Sequence, residues 1–187
     1  MQIICEISNR HVHLSQEHIE ALFGTGYKLT PLRDLSQPGQ YLCAERVTLV
    51  GPKSTMHNVA IIGPARRQTQ VEISRTDTFA LGIRDVPVRQ SGELHNTPGI
   101  TIQSGDNQIV VTSGVVVACR HVHLDPKTAT NHKLSYGQII SIKFVGERGG
   151  MLANTIVRID PKFAPAVHID SDEANAMGFT SGAVVIQ

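Results

Sequence analysis

Tryptophan is absent, and aromatic residues make up only 4% of the 187-residue chain. A core without large rings is built from smaller side chains, and the abundant Val, Ile and Thr favour strands. Cysteine is also scarce. Cys5, Cys43 and Cys119 are an odd number at no metal-type spacing, which argues against a disulfide framework and for reduced thiols in a reducing compartment. No apolar run approaches the roughly 20 residues that a membrane helix needs. Met1 leads almost at once into a strand-like run rather than a charged segment and a long apolar one. Neither sign of charge dominates: 17 Lys and Arg face 16 Asp and Glu, for a net charge of +1. A nucleic-acid track, a membrane surface and a polybasic anchor are therefore not expected as partners, and the chain reads as cytoplasmic.

What is present is a succession of short strand-like runs. Gln2–Ile7, Arg46–Val50, Asn58–Ile62, Gly99–Gln103, Gln108–Thr112, Val115–Ala118, Gln138–Val145, Asn154–Ile159 and Ala183–Ile186 are the clearest. Turns such as Gly51-Pro52, Gly63-Pro64, Pro98-Gly99 and Gly105-Asp106 separate them. Helices are few and brief. Ser15 can cap one that carries Ile19, Leu22 and Phe23 on one face and stops at Gly24. Asp125-Pro126 opens a second, and Ser171 or Asp170 opens a third through Met177, closed by Gly178. Asp170, Asp172 and Glu173 are favourable charges at that helix start. The pattern predicts a mainly β protein of barrels or compact sandwiches with small capping helices.

An internal repeat organises these elements. Asn9-Arg10-His11-Val12-His13-Leu14 returns as Cys119-Arg120-His121-Val122-His123-Leu124. Asn58–Ile83 then aligns without gaps on Asn154–Phe179, with Asn58, Val71, Ile73, Ala80 and Gly82 meeting identical residues. The longer Gly24–Gly39 loop accounts for the different spacing in the first copy. Two related halves follow, with a pseudo-twofold relation between them.

Side chains alternate along a strand, so histidines two apart share a face and can grip one metal if a third ligand arrives. The alignment nominates that ligand, because Glu72 stands opposite His168 and both residue types bind metal. Each lies between apolar neighbours, in Val71-Glu72-Ile73 and Val167-His168-Ile169, and so points away from the apolar face. The expected sites are His11/His13/Glu72 and His121/His123/His168, with the sharing of third ligands between halves left open. A lone His-x-His is usually surface decoration; two copies with alignable third ligands favour metal. Three ligands leave an open position, which favours catalytic over structural zinc.

Arg66, six residues before Glu72, is either an oxyanion clamp or a solvated surface arginine. Arg10 and Arg120 point to the opposite strand face and read as structural. His11, His13 and Glu17 also fit a cupin motif. Glu17, however, falls in the first turn of the Ser15-capped helix, and the second copy has no matching glutamate.

The segments Ser8–Ser15, Gln37–Gln40, Gln70–Asp77, Pro98–Ile100 and His168–Ala176 together resemble the PduL-type phosphotransacylases, the phosphate propanoyltransferases, over nearly the whole chain. The resemblance implies two β-barrels capped by short helices, one from residues 10–118 and one from 1–9 plus 119–187. The N-terminal strand would then join the C-terminal half. It further implies two Zn2+ ions between the barrels on the six ligands above, phosphate contact at Arg66, coenzyme A contacts near Ser8 and Asn175, and a homodimer. The implied reaction interconverts short-chain acyl-CoA and phosphate with acyl phosphate and CoA. Members sent to microcompartments carry an amphipathic extension before the first strand. Here that strand begins near Gln2, so association with a microcompartment shell is not expected.

Phosphate attack on a thioester builds negative charge on the carbonyl oxygen, which zinc can stabilise, while Arg66 and one metal aim the phosphate. A zinc-dependent thioester or ester hydrolase on the same ligands is the alternative. Glu72 in place of a third histidine makes the two sites differ by one negative charge. The all-histidine site is therefore expected to be the stronger Lewis acid and the one nearer the phosphate chemistry.

Overall fold

The computed structural model describes residues 1–187. The chain begins with β1 (Gln2–Ser8), β2 (His11–His13) and α1 (Gln16–Phe23). It continues through β3 (Pro31–Asp34), β4 (Tyr41–Val50), β5 (Thr55–Gly63), β6 (Gln70–Ile73) and α2 (Arg75–Leu81). Next come β7 (Val88–Arg89), β8 (Ile100–Ser104), β9 (Asn107–Val111), β10 (Val115–Ala118), β11 (His121–Leu124) and α3 (Pro126–Asn131). The remainder is β12 (Ile139–Lys143), β13 (Met151–Ile159), β14 (Ala166–Asp170), α4 (Ser171–Ala176) and β15 (Gly182–Ile186). The protein is mainly β, with four short helices.

The elements form two compact units. Arg10–Ala118 is one; Met1–Asn9 with Cys119–Gln187 is the other. The second holds a closed barrel in the order β1-β14-β11-β13-β12-β15. The first holds a nine-stranded sheet in the order β7-β10-β6-β2-β5-β4-β8-β9, with β3 on β4. The halves diverge at closure. In the barrel, β15 bridges β12 and β1. In the sheet, the strand on β4 is β8, which turns back as β9 and does not pair β10.

Within that difference the repeat is kept residue for residue. β2 lies antiparallel to β6 with His11 opposite Glu72, and β11 lies antiparallel to β14 with His121 opposite His168. On the other flank β2 runs parallel to β5 and β11 parallel to β13, pairing His11 with Ala60 and His121 with Ile156, which are aligned positions. β1 enters β2 through only Asn9 and Arg10, yet it pairs with β14 in the barrel. β10 enters β11 through Cys119 and Arg120, and it pairs with β6 in the sheet.

One identity in the repeat has a backbone cause. Asn58 and Asn154 have φ of 58° and 57°, a left-handed conformation that Asn tolerates better than most residues. Each sits where the register slips, between Val47 and Leu49 on β4 and between Ile140 and Ile142 on β12. The same β-bulge is thus built twice.

Val12, Leu14, Val71 and Ile73 enter the sheet unit's core, and Val122, Leu124, Val167 and Ile169 enter the barrel's. Alternation therefore turns the histidines, Glu72 and His168 to the other face.

The helix starts are paired as well. Ser15 and Asp125 cap α1 and α3. Ser74 with Asp77, and Asp170 with Glu173, form capping boxes on α2 and α4. Asp170 rather than Ser171 is the cap of α4, and the helix ends at Ala176, one residue short of expectation. β3 and β7 were not expected. They are short edge strands made by pairing rather than by propensity.

Candidate metal centres

In the sheet unit His11, His13 and Glu72 converge. His11 Nε2 and His13 Nε2 are 3.2 Å apart. Glu72 Oε2 is 3.6 Å from His11 Nε2, and Glu72 Oε1 is 3.8 Å from His13 Nε2. These carboxylate contacts are longer than hydrogen bonds. Tetrahedral zinc with bonds of about 2.0–2.1 Å would separate its ligand atoms by roughly 3.3–3.4 Å, close to the histidine–histidine distance and somewhat shorter than the two distances to separate Glu72 oxygens. His13 Nδ1 lies 3.0 Å from the Ile62 carbonyl oxygen. A carbonyl only accepts, so Nδ1 carries the proton and Nε2 offers its lone pair inward.

Behind Glu72 is a polar cluster that the sequence reading missed. Gln70 donates through its amide to Glu72 Oε1, and Ser91 Oγ donates to the same oxygen at 3.2 Å. Arg66 Nη1 donates to Ser91 Oγ at 2.7 Å, and the Gly92 amide donates to Gln70 Oε1 at 2.8 Å. Arg66 therefore stands behind the carboxylate triad, tied to it by one hydroxyl. Its backbone N–H donates to the Leu14 carbonyl, directly after the histidine strand. Burial raises the Glu72 pKa, but His11, His13 and Arg66 outweigh it and leave the carboxyl below its usual range. Burial, His11 and Arg66 press His13 down to about 3, so its imidazole is neutral near pH 7.

The barrel brings His121, His123 and His168 together, with ring centroids 4.5–5.1 Å apart. In each triad the three ligand atoms lie within 4.8 Å of one another. His121 Nδ1 donates to the Cys119 carbonyl oxygen at 2.9 Å, again leaving Nε2 for a ligand. His123 is the sharper sign. Both of its ring nitrogens are buried without a hydrogen-bond partner. Buried polar atoms are rarely left so, and a cation at one nitrogen would satisfy it. Burial, then His121, His168 and Arg158, lower its pKa to about 2. Phe163 packs on the His123 ring at 4.0 Å, and the Arg158 guanidinium lies 5.7 Å from the Phe163 centroid. Neither residue was singled out from the sequence.

The charge contrast expected from the ligand sets has a neighbour to reckon with on the barrel side. Glu6 Oε2 is 3.7 Å from His168 Nδ1, so the all-histidine triad has a carboxylate of its own one step further out.

The remaining expected residues fall as follows. Ser8 ends β1 and pairs with Asp170, while Asn175 is exposed on α4, which packs against β1. Arg10 and Arg120 are structural. Arg10 grips Asp77 through two bonds of 2.7 and 3.0 Å, and Arg120 reaches Glu173 at 2.9 Å. Each arginine beside a histidine strand thus ties it to the capping box after the third ligand. The alignment of Asp77 with Glu173 was the available signal.

Comparison with known proteins points to one family. The family model described as phosphate propanoyltransferase matches residues 4–180. A phosphate propanoyltransferase of Listeria monocytogenes is 52% identical over 177 residues, covering 95% of this chain and 83% of the relative. One from Enterococcus faecalis is 51% identical, covering 95% and 84%, and one from Thermotoga maritima is 47% identical, covering 98% and 87%. The molecule is an enzyme, a phosphate acyltransferase. The chain belongs to the phosphate propanoyltransferase family.

Proposed function

We propose that this enzyme moves a short acyl group, propanoyl or acetyl, between coenzyme A and phosphate, with one zinc ion in each triad. The observation that carries the metal assignment is the repeated register. The same histidine pair is set against Glu72 in one unit and His168 in the other, with ligand atoms within 4.8 Å.

Bound zinc would supply Lewis-acid stabilisation of negative charge developing on the thioester carbonyl oxygen. The chain's own residues have separate tasks. His11, His13 and Glu72 would hold one ion, and His121, His123 and His168 the other. The buried His13 and His123 imidazoles are neutral near pH 7 and so present lone pairs. Arg66 would bind phosphate through its guanidinium, whose orientation Ser91 sets by accepting one of its hydrogens. Holding phosphate close and aimed is a large part of the task, because it is a weak nucleophile. The departing thiolate needs no strong acid. A covalent acyl-cysteine is not needed either. Burial first, and then Glu173 and Glu6, push the Cys5 thiol up to about 12, and burial pushes Cys43 to about 11. Ser8 on β1 and Asn175 on α4, two elements in contact, are assigned to coenzyme A. A cytoplasmic homodimer is proposed on the family likeness; light scattering that gives 20.3 kDa, the mass of one chain, would refute it.

Thiol release from propionyl-CoA and acetyl-CoA, measured with and without phosphate and before and after chelation, tests the whole reading. Release should need phosphate, stop on chelation and return with zinc. Equal rates without phosphate would point instead to a thioester hydrolase.

A further inference from the structure

β1 brings one more acidic side chain to the barrel triad. It runs parallel to β14 with Glu6 paired to His168, and Glu6 Oε2 lies 3.7 Å from His168 Nδ1. Both side chains are largely sheltered, at 33% and 15% exposure. Two of the other histidines rest the ring nitrogen that faces away from their triad on an oxygen that can only accept: His13 Nδ1 on the Ile62 carbonyl and His121 Nδ1 on the Cys119 carbonyl. His168 differs in meeting a carboxylate. The matching place in the sheet unit holds Val116, paired with Glu72 in the same parallel register. There the third ligand is itself the acid, and a second carboxylate beside it would repel it.

We propose that Glu6 is a positioning residue for the barrel metal, accepting the Nδ1 proton of His168 so that Nε2 is held toward the ion. A cation at Nε2 polarises the Nδ1–H, and a small change in the glutamate torsions closes 3.7 Å to hydrogen-bond distance. Each triad then has one carboxylate: bound directly as Glu72 in the sheet unit, and placed behind the ring as Glu6 in the barrel. This inference rests on the metal assignment above.

The test is zinc titration against a chromophoric chelator on the full chain. His13→Ala and His168→Ala assign the two affinities to their triads. Glu6→Ala should weaken the barrel site about 10- to 100-fold and leave the sheet-unit site unchanged. Glu6→Gln keeps an acceptor oxygen without the charge, and should lose less than Glu6→Ala. In long-range proton–nitrogen NMR spectra of the zinc-loaded protein, His168 should show a protonated Nδ1 in the parent and in Glu6→Gln. In Glu6→Ala that signal should broaden or be lost. An unchanged barrel affinity in Glu6→Ala, or an equal loss at both sites, overturns the role of Glu6. A parent protein that binds no zinc overturns the metal assignment with it.

Discussion

In the sheet unit the histidine pair meets Glu72, and polar side chains crowd behind it. In the barrel the pair meets His168, with an aromatic ring lying on His123. The backbone setting is the same in both, down to the bulge at Asn58 and Asn154. The surroundings differ because the third ligands make different demands. A buried carboxylate has several lone pairs to satisfy, and Gln70 and Ser91 meet some of them. A neutral imidazole has one N–H to place, and Glu6 stands where that proton points. The two halves share their ligand strands; residues on neighbouring strands and loops make the two surroundings differ.

The comparison breaks most visibly if either triad is dispensable. Both His13→Ala and His168→Ala should reduce phosphate-dependent thiol release by about a thousandfold or more, since several kcal/mol of charge stabilisation are at stake. Full turnover in either variant with metal content unchanged would remove that triad from the mechanism.

Arg66 offers a test on one side alone, because the aligned residue in the barrel half is Lys162. Arg66→Ala should cost about 2–4 kcal/mol in kcat/KM, largely through the phosphate dependence. Ser91→Ala should cost only about 0.5–1.5 kcal/mol, the worth of one orienting hydrogen bond. A larger loss at Ser91 than at Arg66 would reverse their roles.

The capping boxes compare the halves by stability. The Asp77 side chain is 3% exposed and takes two bonds from Arg10, whereas Glu173 is 19% exposed and takes one from Arg120. Urea unfolding should show Asp77→Ala losing about 2–3 kcal/mol and Glu173→Ala about 1–2 kcal/mol. The reverse order would mean that the aligned clamps do not carry similar weight.

Acid should strain both halves through their buried imidazoles. Folding lowers His13 from 6.5 to about 3 and His123 from 6.5 to about 2, chiefly by burial. Between those limits the unfolded chain binds more protons, so stability falls as pH falls. The metal-free protein should keep this contribution above about pH 6.5 and lose it progressively towards pH 3. Zinc-loaded protein should lose stability more steeply, because protons also compete for the ligands. A melting temperature that rises between pH 6.5 and 5 would contradict the sign.

Much of this site was legible before any coordinates. The repeat picked out all six residues of the two triads, because strand alternation and a gapless alignment both survive in the linear sequence. The polar cluster was not legible. Ser91 lies in a loop without periodicity, and Gln70 begins the ligand strand where the other copy has Ala166. Glu6 was hidden for a related reason: its aligned residue is Val116, so the repeat spoke against a role for it. Closure of one sheet and not the other was equally unreadable, since it depends on whether a single strand, β15, finds two partners.

The pairing of β1 has a consequence in time. In the order of synthesis β1 precedes its barrel neighbours β14 and β15 by all of β2 to β13 and by helices α1 to α3. Arg10–Ala118 is continuous and can fold as soon as it has emerged, whereas the barrel stays open at one seam until β14 and β15 have been made. Closing that seam brings Cys5 to Val167, a contact of large sequence separation, and so should come late. When β1 finally docks, it delivers Glu6 to His168 in the same motion that seals the barrel.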